Sequence, residues 1–234
     1  REQVSPPSSL TSTPAAEFGI FAEMESAILA SCSAQQSLIA LPLERRRVII
    51  AAMRQAAEEH AQEFSHQAVL ESGRGNEGDK VIKNLLSAKK TPGVEDIETV
   101  AYSDEHGLVV VERAPYGVIG SITPVTNPTA TIIHNAISMI AGGNSVVFNP
   151  HPGAKRTSIH AIQVLNRAIV QAGGPANLLT AIAEPTVESA AEMMQHPRIA
   201  LLAVTGGPQV VRVAMKNGKK VIAAGPGNPP CVVD

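Results

Sequence analysis

The chain has 234 residues, 44% hydrophobic and 17% charged, with a formal net charge of −2; this is the balance of a globular protein with enough chain for a sizeable core. There is no basic excess to suit nucleic acid and no acidic block to act as a solvated tail, and aromatics at 3% with no tryptophan leave little to stack on bases or sugars. No apolar run reaches the roughly 18 residues of a membrane span, and two cysteines, Cys32 and Cys231, make no disulfide framework and fit a reducing compartment.

The chain opens on Arg1, so a targeting peptide lies outside what the sequence can show. SPPSSLTSTP (5–14) has a tether's composition, and residues 1–16 are expected to form a flexible linker. Phe21, Met24, Ile28 and Cys32 then recur at three- and four-residue steps, which predicts one apolar helix face with Cys32 as a small core residue. A second helix is expected from Leu43 to about Leu70, closed by Ser72-Gly73, with Arg45, Arg46 and Arg47 as a solvated first turn. A third runs from Asp79 to Lys89 and stops at the sequence TPG (91–93).

From Asp96 the pattern changes. DIETVAY and GLVVVERAP flank SDEHG and predict two extended arms around a turn. Apolar strands follow at 117–123, 145–149, 178–182, 199–205 and 220–224, with helical segments near 128–141, 155–172, 186–195 and 208–217. Such alternation with apolar strands predicts an α/β fold. It is a Rossmann-like parallel sheet covered on both faces, behind an N-terminal helical layer.

Ligands of an open parallel sheet bind beyond the carboxyl ends of its strands. That rule selects four loops: TPVTNP after the first strand, NPHPGAK after the second, TGGP after the fourth and AGPGNPP after the fifth. The G-x-G-x-x-G dinucleotide fingerprint is absent. Gly206 and Gly207 precede a helix whose free amides would favour a phosphate; the other reading is a tight turn that needs glycine for its dihedrals. Lys155 is placed either near phosphate or in solvent. Seven histidines show no metal-binding spacing, so no metal is expected and His151 is not read as a ligand.

These loops, in this order, resemble the aldehyde dehydrogenase superfamily, and within it the CoA-acylating acetaldehyde and propionaldehyde dehydrogenases of ethanolamine- and propanediol-utilising microcompartments. The residues that carry the likeness are ERAPYGVIGSITPVTNPT (112–129), NAISMIAGGNSVVFNPHPGAK (135–155), AGGPANLL (172–179), VTGGPQVV (204–211) and AAGPGNPPCVVD (223–234). The resemblance implies that 17–234 form the cofactor-binding part, and that about 96–114 give half of an oligomerisation arm. It implies NAD as cofactor, with CoA and a short-chain aldehyde as substrates, in a homo-oligomer. The expected setting is the cytoplasm, within a microcompartment and against its shell.

Site residues follow from the same resemblance. Thr123, Pro124, Val125 and Thr126 are expected to line the channel between nicotinamide and aldehyde. The oxyanion donor falls on Thr126 or on Asn127. Asn149, Pro150, His151 and Pro152 occupy the adenosine-side loop, and Thr205, Gly206, Gly207 and Val210 the pyrophosphate turn. Ala224, followed by Gly225, stands where hydrolytic relatives carry the glutamate that activates water, and no carboxylate lies within five residues of it on either side. Attack by water on a thioester needs a positioned base, whereas a thiol of pKa about 8.5 is already partly thiolate. The expected product is therefore acyl-CoA. The catalytic cysteine is expected beyond Asp234, which would leave the chain by itself inactive. Cys231 is expected to be a small buried residue near a strand. The alternatives are a hydrolytic dehydrogenase that releases the acid and an inert nucleotide-binding or assembly module.

Overall fold

The computed structural model describes residues 17–227 and 230–232, so the expected linker at 1–16 lies outside the described residues. A short strand β1 (Ile20–Phe21) leads into α1 (Met24–Ile39), so Phe21 opens the sheet instead of the helix. Two residues are too few to show a strand periodicity, which is why Phe21 reads as part of the helix face. The long second helix is in fact two, α2 (Leu43–Glu59) and α3 (Ala61–Ser72). They part at His60, whose backbone sits at φ −98°, ψ 5° and whose ring Nδ1 lies 2.9 Å from the Ala56 carbonyl. Gly73, at φ 64°, closes α3 in the left-handed region that glycine tolerates best. Asn76 then caps α4 (Glu77–Lys90) by accepting from the Asp79 N–H at 2.8 Å.

The two arms are an antiparallel hairpin, β2 (Val100–Asp104) with β3 (Gly107–Val111), paired from Val100↔Val111 to Asp104↔Gly107. Asp104 ties its turn by accepting from the N–H groups of His106 and Gly107. Every residue of both strands is exposed, Tyr102 and Leu108 among them.

The alternation after the hairpin runs β4 (Val118–Thr123), α5 (Pro128–Ala141), β5 (Ser145–Pro150), α6 (Lys155–Gln171), β6 (Leu179–Ile182), α7 (Val187–Gln195), β7 (Ile199–Thr205), α8 (Pro208–Met215) and β8 (Lys220–Ala224). The sheet has six strands in the order β1-β6-β5-β4-β7-β8, and every pairing in it is parallel. Successive residues of β5 face opposite layers, as a pleat requires. Val146 and Phe148 join a core with Ile132 and Ile137 of α5, Ile162 and Leu165 of α6, and Met53 and Phe64 of α2 and α3. Val147 joins the other layer, with Met24 and Ile28 of α1, Met193 of α7 and Ala214 of α8. Phe148 is fully buried, and truncating such a side chain to alanine costs about 3–5 kcal/mol. Cys32 packs, half-buried, against the second layer. Cys231 is exposed, contrary to expectation: the chain leaves the sheet after Ala224 and residues 230–232 form no helix or strand that could cover it.

Candidate functional site

The strand order reverses direction at β4. From β4 the chain moves outward to β5 and β6, then crosses back to place β7 on the other side of β4. Between the carboxyl ends of β4 and β7, therefore, two loops diverge and leave a crevice. One is 123–127 and the other 205–207.

The helices that start at this edge differ in how their first amides are satisfied. The amides of Arg156 and Thr157 in α6 donate to the two carboxylate oxygens of Glu71, at 2.9 and 2.8 Å. A capping box closes α7, with Thr186 Oγ1 accepting from the Ser189 N–H and Ser189 Oγ accepting from the Thr186 N–H. By contrast α5 and α8, which flank the crevice, begin at Asn127 and Gly207 with proline next and no side-chain cap. Open amides and the positive end of a helix dipole favour negative charge.

The glycine pair resolves along the same line. Gly207 lies at φ −68°, ψ 166°, an ordinary extended conformation, and Gly206 is not among the positive-φ glycines. Dihedral need does not explain either one. A Cβ on Gly207 would meet nothing within 4 Å, while one on Gly206 would approach Val210 Cγ1 to 2.7 Å. The Gly206 N–H donates to the Ala224 carbonyl at 3.1 Å, which ties this turn to the end of β8. Val210 is partly buried against the second layer. Thr205 is half-buried, whereas Ala224 and Gly225 are exposed.

On the other side of the crevice, Thr123 is 1% exposed and its Oγ1 has no hydrogen-bond partner. Its carbonyl accepts from the His151 N–H at 3.2 Å. Pro124 and Val125 are half-buried and Thr126 is exposed. Two lysines of α4 reach this loop. Lys80 Nζ donates to the Thr126 carbonyl at 2.7 Å, and Lys83 Nζ donates to Asn127 Oδ1 at 3.3 Å. A cavity of about 310 Å³ lies alongside, bordered by Asn127, Thr131, His134, Thr205, Lys83 and Leu86. His134 accepts from or donates to Thr91 Oγ1 at 3.0 Å, and burial holds its imidazole below the usual value. Two larger hollows, of about 500 and 470 Å³, lie against α1 at the amino edge of the sheet, away from the open helix ends.

The loop after β5 divides by burial. Asn149 is 4% exposed and both ends of its amide serve α7, Oδ1 accepting from Ser189 Oγ at 2.6 Å and Nδ2 donating to the Thr186 carbonyl at 3.3 Å. It sits beneath the site and sets where α7 begins. Pro150 is buried at the strand end, whereas His151 and Pro152 are exposed. His151 Nδ1 accepts from the Gly153 N–H, and Lys155 pairs with Glu184.

Sequence reasoning brought the crevice loops together but missed Lys80, Lys83, His134 and the caps of α6 and α7. Lys80 and Lys83 lie one helical turn apart, yet spacing alone does not say which loop that face meets.

Residues 7–234 match the family model for the aldehyde dehydrogenase family. An acetaldehyde dehydrogenase (acetylating) of Bilophila wadsworthia is 53% identical over 219 residues, 93% of this chain and 45% of that protein. Among solved structures, a propionaldehyde dehydrogenase from the Clostridium phytofermentans fucose utilisation bacterial microcompartment superposes with a TM-score of 0.89 at 50% identity, covering 92% of this chain and 49% of that one. Rhodopseudomonas palustris propionaldehyde dehydrogenase with bound propionyl-CoA gives a TM-score of 0.90 at 42% identity, over 92% of this chain and 48% of that one. The chain thus spans about half the length of the curated relatives it matches. The family model covers nearly the whole sequence: the chain belongs to the aldehyde dehydrogenase family.

Proposed function

We propose that this chain is the cofactor-binding portion of an NAD-dependent, CoA-acylating aldehyde dehydrogenase that converts a short-chain aldehyde to acyl-CoA. The observation that carries this reading is Ala224. It is exposed at the end of β8 and backbone-bonded to the Gly206 turn, with no aspartate or glutamate between residues 219 and 229. The base that hydrolytic relatives place there is missing, so the acyl group waits for a thiol. Identity of 53% to an acetylating relative and a neighbour solved with propionyl-CoA support the same outcome.

The residues present fit a dinucleotide. The uncapped α8 and the empty space over Gly207 suit a pyrophosphate, and the orphaned Thr123 hydroxyl suits a polar group beside the nicotinamide. When bound, NAD supplies the acceptor for the aldehyde's hydride. Thr205, Gly206 and Gly207 hold the phosphates, with Val210 under the turn and Gly225 beside it. Thr123, Pro124 and Val125 wall the nicotinamide side, while Pro150, His151 and Pro152 face the adenosine. Asn127 is preferred to Thr126 as the oxyanion donor. Lysine has donors only, so the Asn127 atom it meets is the oxygen, which leaves Nδ2 as the donor on a residue that borders the cavity. The nucleophilic thiolate is assigned to a cysteine outside residues 1–234, because Cys32 borders the amino-edge hollow and Cys231 does not match the family position.

The exposed β2–β3 hairpin, with Tyr102, Leu108, Val109 and Val110 uncovered, serves as an oligomerisation arm. The enzyme acts in the cytoplasm inside a microcompartment, a reading supported by a neighbour that comes from a bacterial microcompartment. The test is the CoA dependence of the full-length protein. NADH and acyl-CoA are expected to form together, with little NADH when CoA is left out. Equal NADH formation without CoA, with free acid as product, would sink the reading. Ala224→Glu is expected to restore acid release.

A further inference from the structure

The two α4 lysines have a feature that packing does not explain. Lys80 is 6% exposed, yet among the described residues neither it nor Lys83 pairs with a carboxylate. The ammonium donates to the Thr126 carbonyl, at 2.7 Å. A buried charge without a counter-ion is costly, and desolvation together with the neighbouring Lys83 charge holds the Lys80 ammonium below the usual lysine value. The turn before α4 lies against this side chain: Gly75, at φ 72°, is close enough that a Cβ there would be in ordinary contact with Lys80 Cε, at 3.6 Å. A second polar link lies beside it, where Thr129 Oγ1 donates to Asn84 Oδ1 at 2.8 Å. Asn84 is itself buried and donates to Ser65 Oγ at 3.0 Å. The helical layer thus grips the end of the loop and the first turn of α5, 126–129, through three residues of a single helix.

We infer that Lys80 and Lys83 are positioning residues for the dehydrogenase reaction, acting through Asn127. Lys80 fixes the backbone of the loop at Thr126. Lys83 fixes the orientation of the Asn127 amide and, by drawing electron density toward Oδ1, strengthens its Nδ2–H groups as donors. Both cations bond to the loop that carries Asn127, so their charge also favours negative charge that develops at its amide. Their effect falls on the rate of the chemical step and not on cofactor binding. This rests on the dehydrogenase reading and on Asn127 as donor.

The test compares Lys83→Met, Lys83→Arg and Lys80→Met in the full-length protein, reading kcat and KM of NADH formation, the Kd for NAD, and the unfolding midpoint. Lys83 is exposed, so its variants fold. Lys83→Met is expected to lower kcat about tenfold, with KM and the NAD Kd within about twofold, and Lys83→Arg to keep most of the rate. Lys80→Met, which retains the stem's packing, is expected to lower kcat about 10²-fold at unchanged NAD affinity. An unaltered kcat in Lys83→Met overturns the inference, whether or not Lys80→Met folds. So does a kcat loss matched by an equal loss of NAD affinity, or an arginine variant as impaired as the methionine one. A wild-type protein that forms NADH equally well without CoA overturns the acylating reading alone, and the lysine comparison is then read on that NADH-forming step.

Discussion

Two pairs of helices start at the same edge of one sheet and are finished differently. In α6 and α7 the first amides are closed from within the protein, by Glu71 and by the Thr186–Ser189 box. In α5 and α8, on either side of the strand-order reversal, proline and an uncapped N-terminus leave the same groups open. Helix stability would be served by capping all four. Of the four, the two that forgo it are the two that flank the crevice, and that contrast is what the proposed ligand site rests on.

The sharpest way to break this contrast is on the open side. Asn127→Ala is expected to lower kcat of the full-length enzyme by about 10²–10³-fold, the usual cost of one lost oxyanion donor. Its unfolding midpoint should hardly move, since Asn127 makes no side-chain cap. On the closed side the expectation reverses. Glu71→Gln is expected to cost about 1–2 kcal/mol of stability, read by denaturant unfolding, and to leave NAD affinity unchanged. A change in affinity there would mean that the two pairs are not functionally distinct. The smallest effect concerns His134 beside the cavity, whose imidazole burial holds below the usual value. As pH falls below about 6.5, the unfolded chain takes up a proton that folded His134 resists. Stability is then lost down to its folded pKa and constant below that. His134→Gln should flatten that slope in a series of unfolding curves.

Much of this was legible in the sequence wherever the signal is local. The segment 128–141 is α5 to the residue, and the strands expected at 145–149 and 199–205 differ by one residue at most. Apolar strands between Gly- and Pro-marked junctions made that reading firm. The bend at His60 was hidden, because an unbroken apolar periodicity runs through it. The two-residue β1 was hidden by its length. The crevice loops could be named from strand ends alone, and the end of β8 at Ala224 from its apolar run. What holds those loops could not. Lys80 and Thr126 are 46 residues apart, and Glu71 and Arg156 are 85 apart, and no periodicity reports a contact made by folding. The structure also removes one of two readings the sequence left joined: the dihedrals of Gly207 do not require glycine, and the space above it is open.

The most direct test of the open-end account is to close one end deliberately. Gly207 already has the extended backbone of an N-cap and room for a side chain, so Gly207→Asp would give α8 the cap its neighbours possess. Titration of NAD into the wild-type and Gly207→Asp full-length proteins should show affinity at least about tenfold weaker in the variant, with an equal or higher unfolding midpoint. Equal NAD affinity in the two proteins would contradict the account.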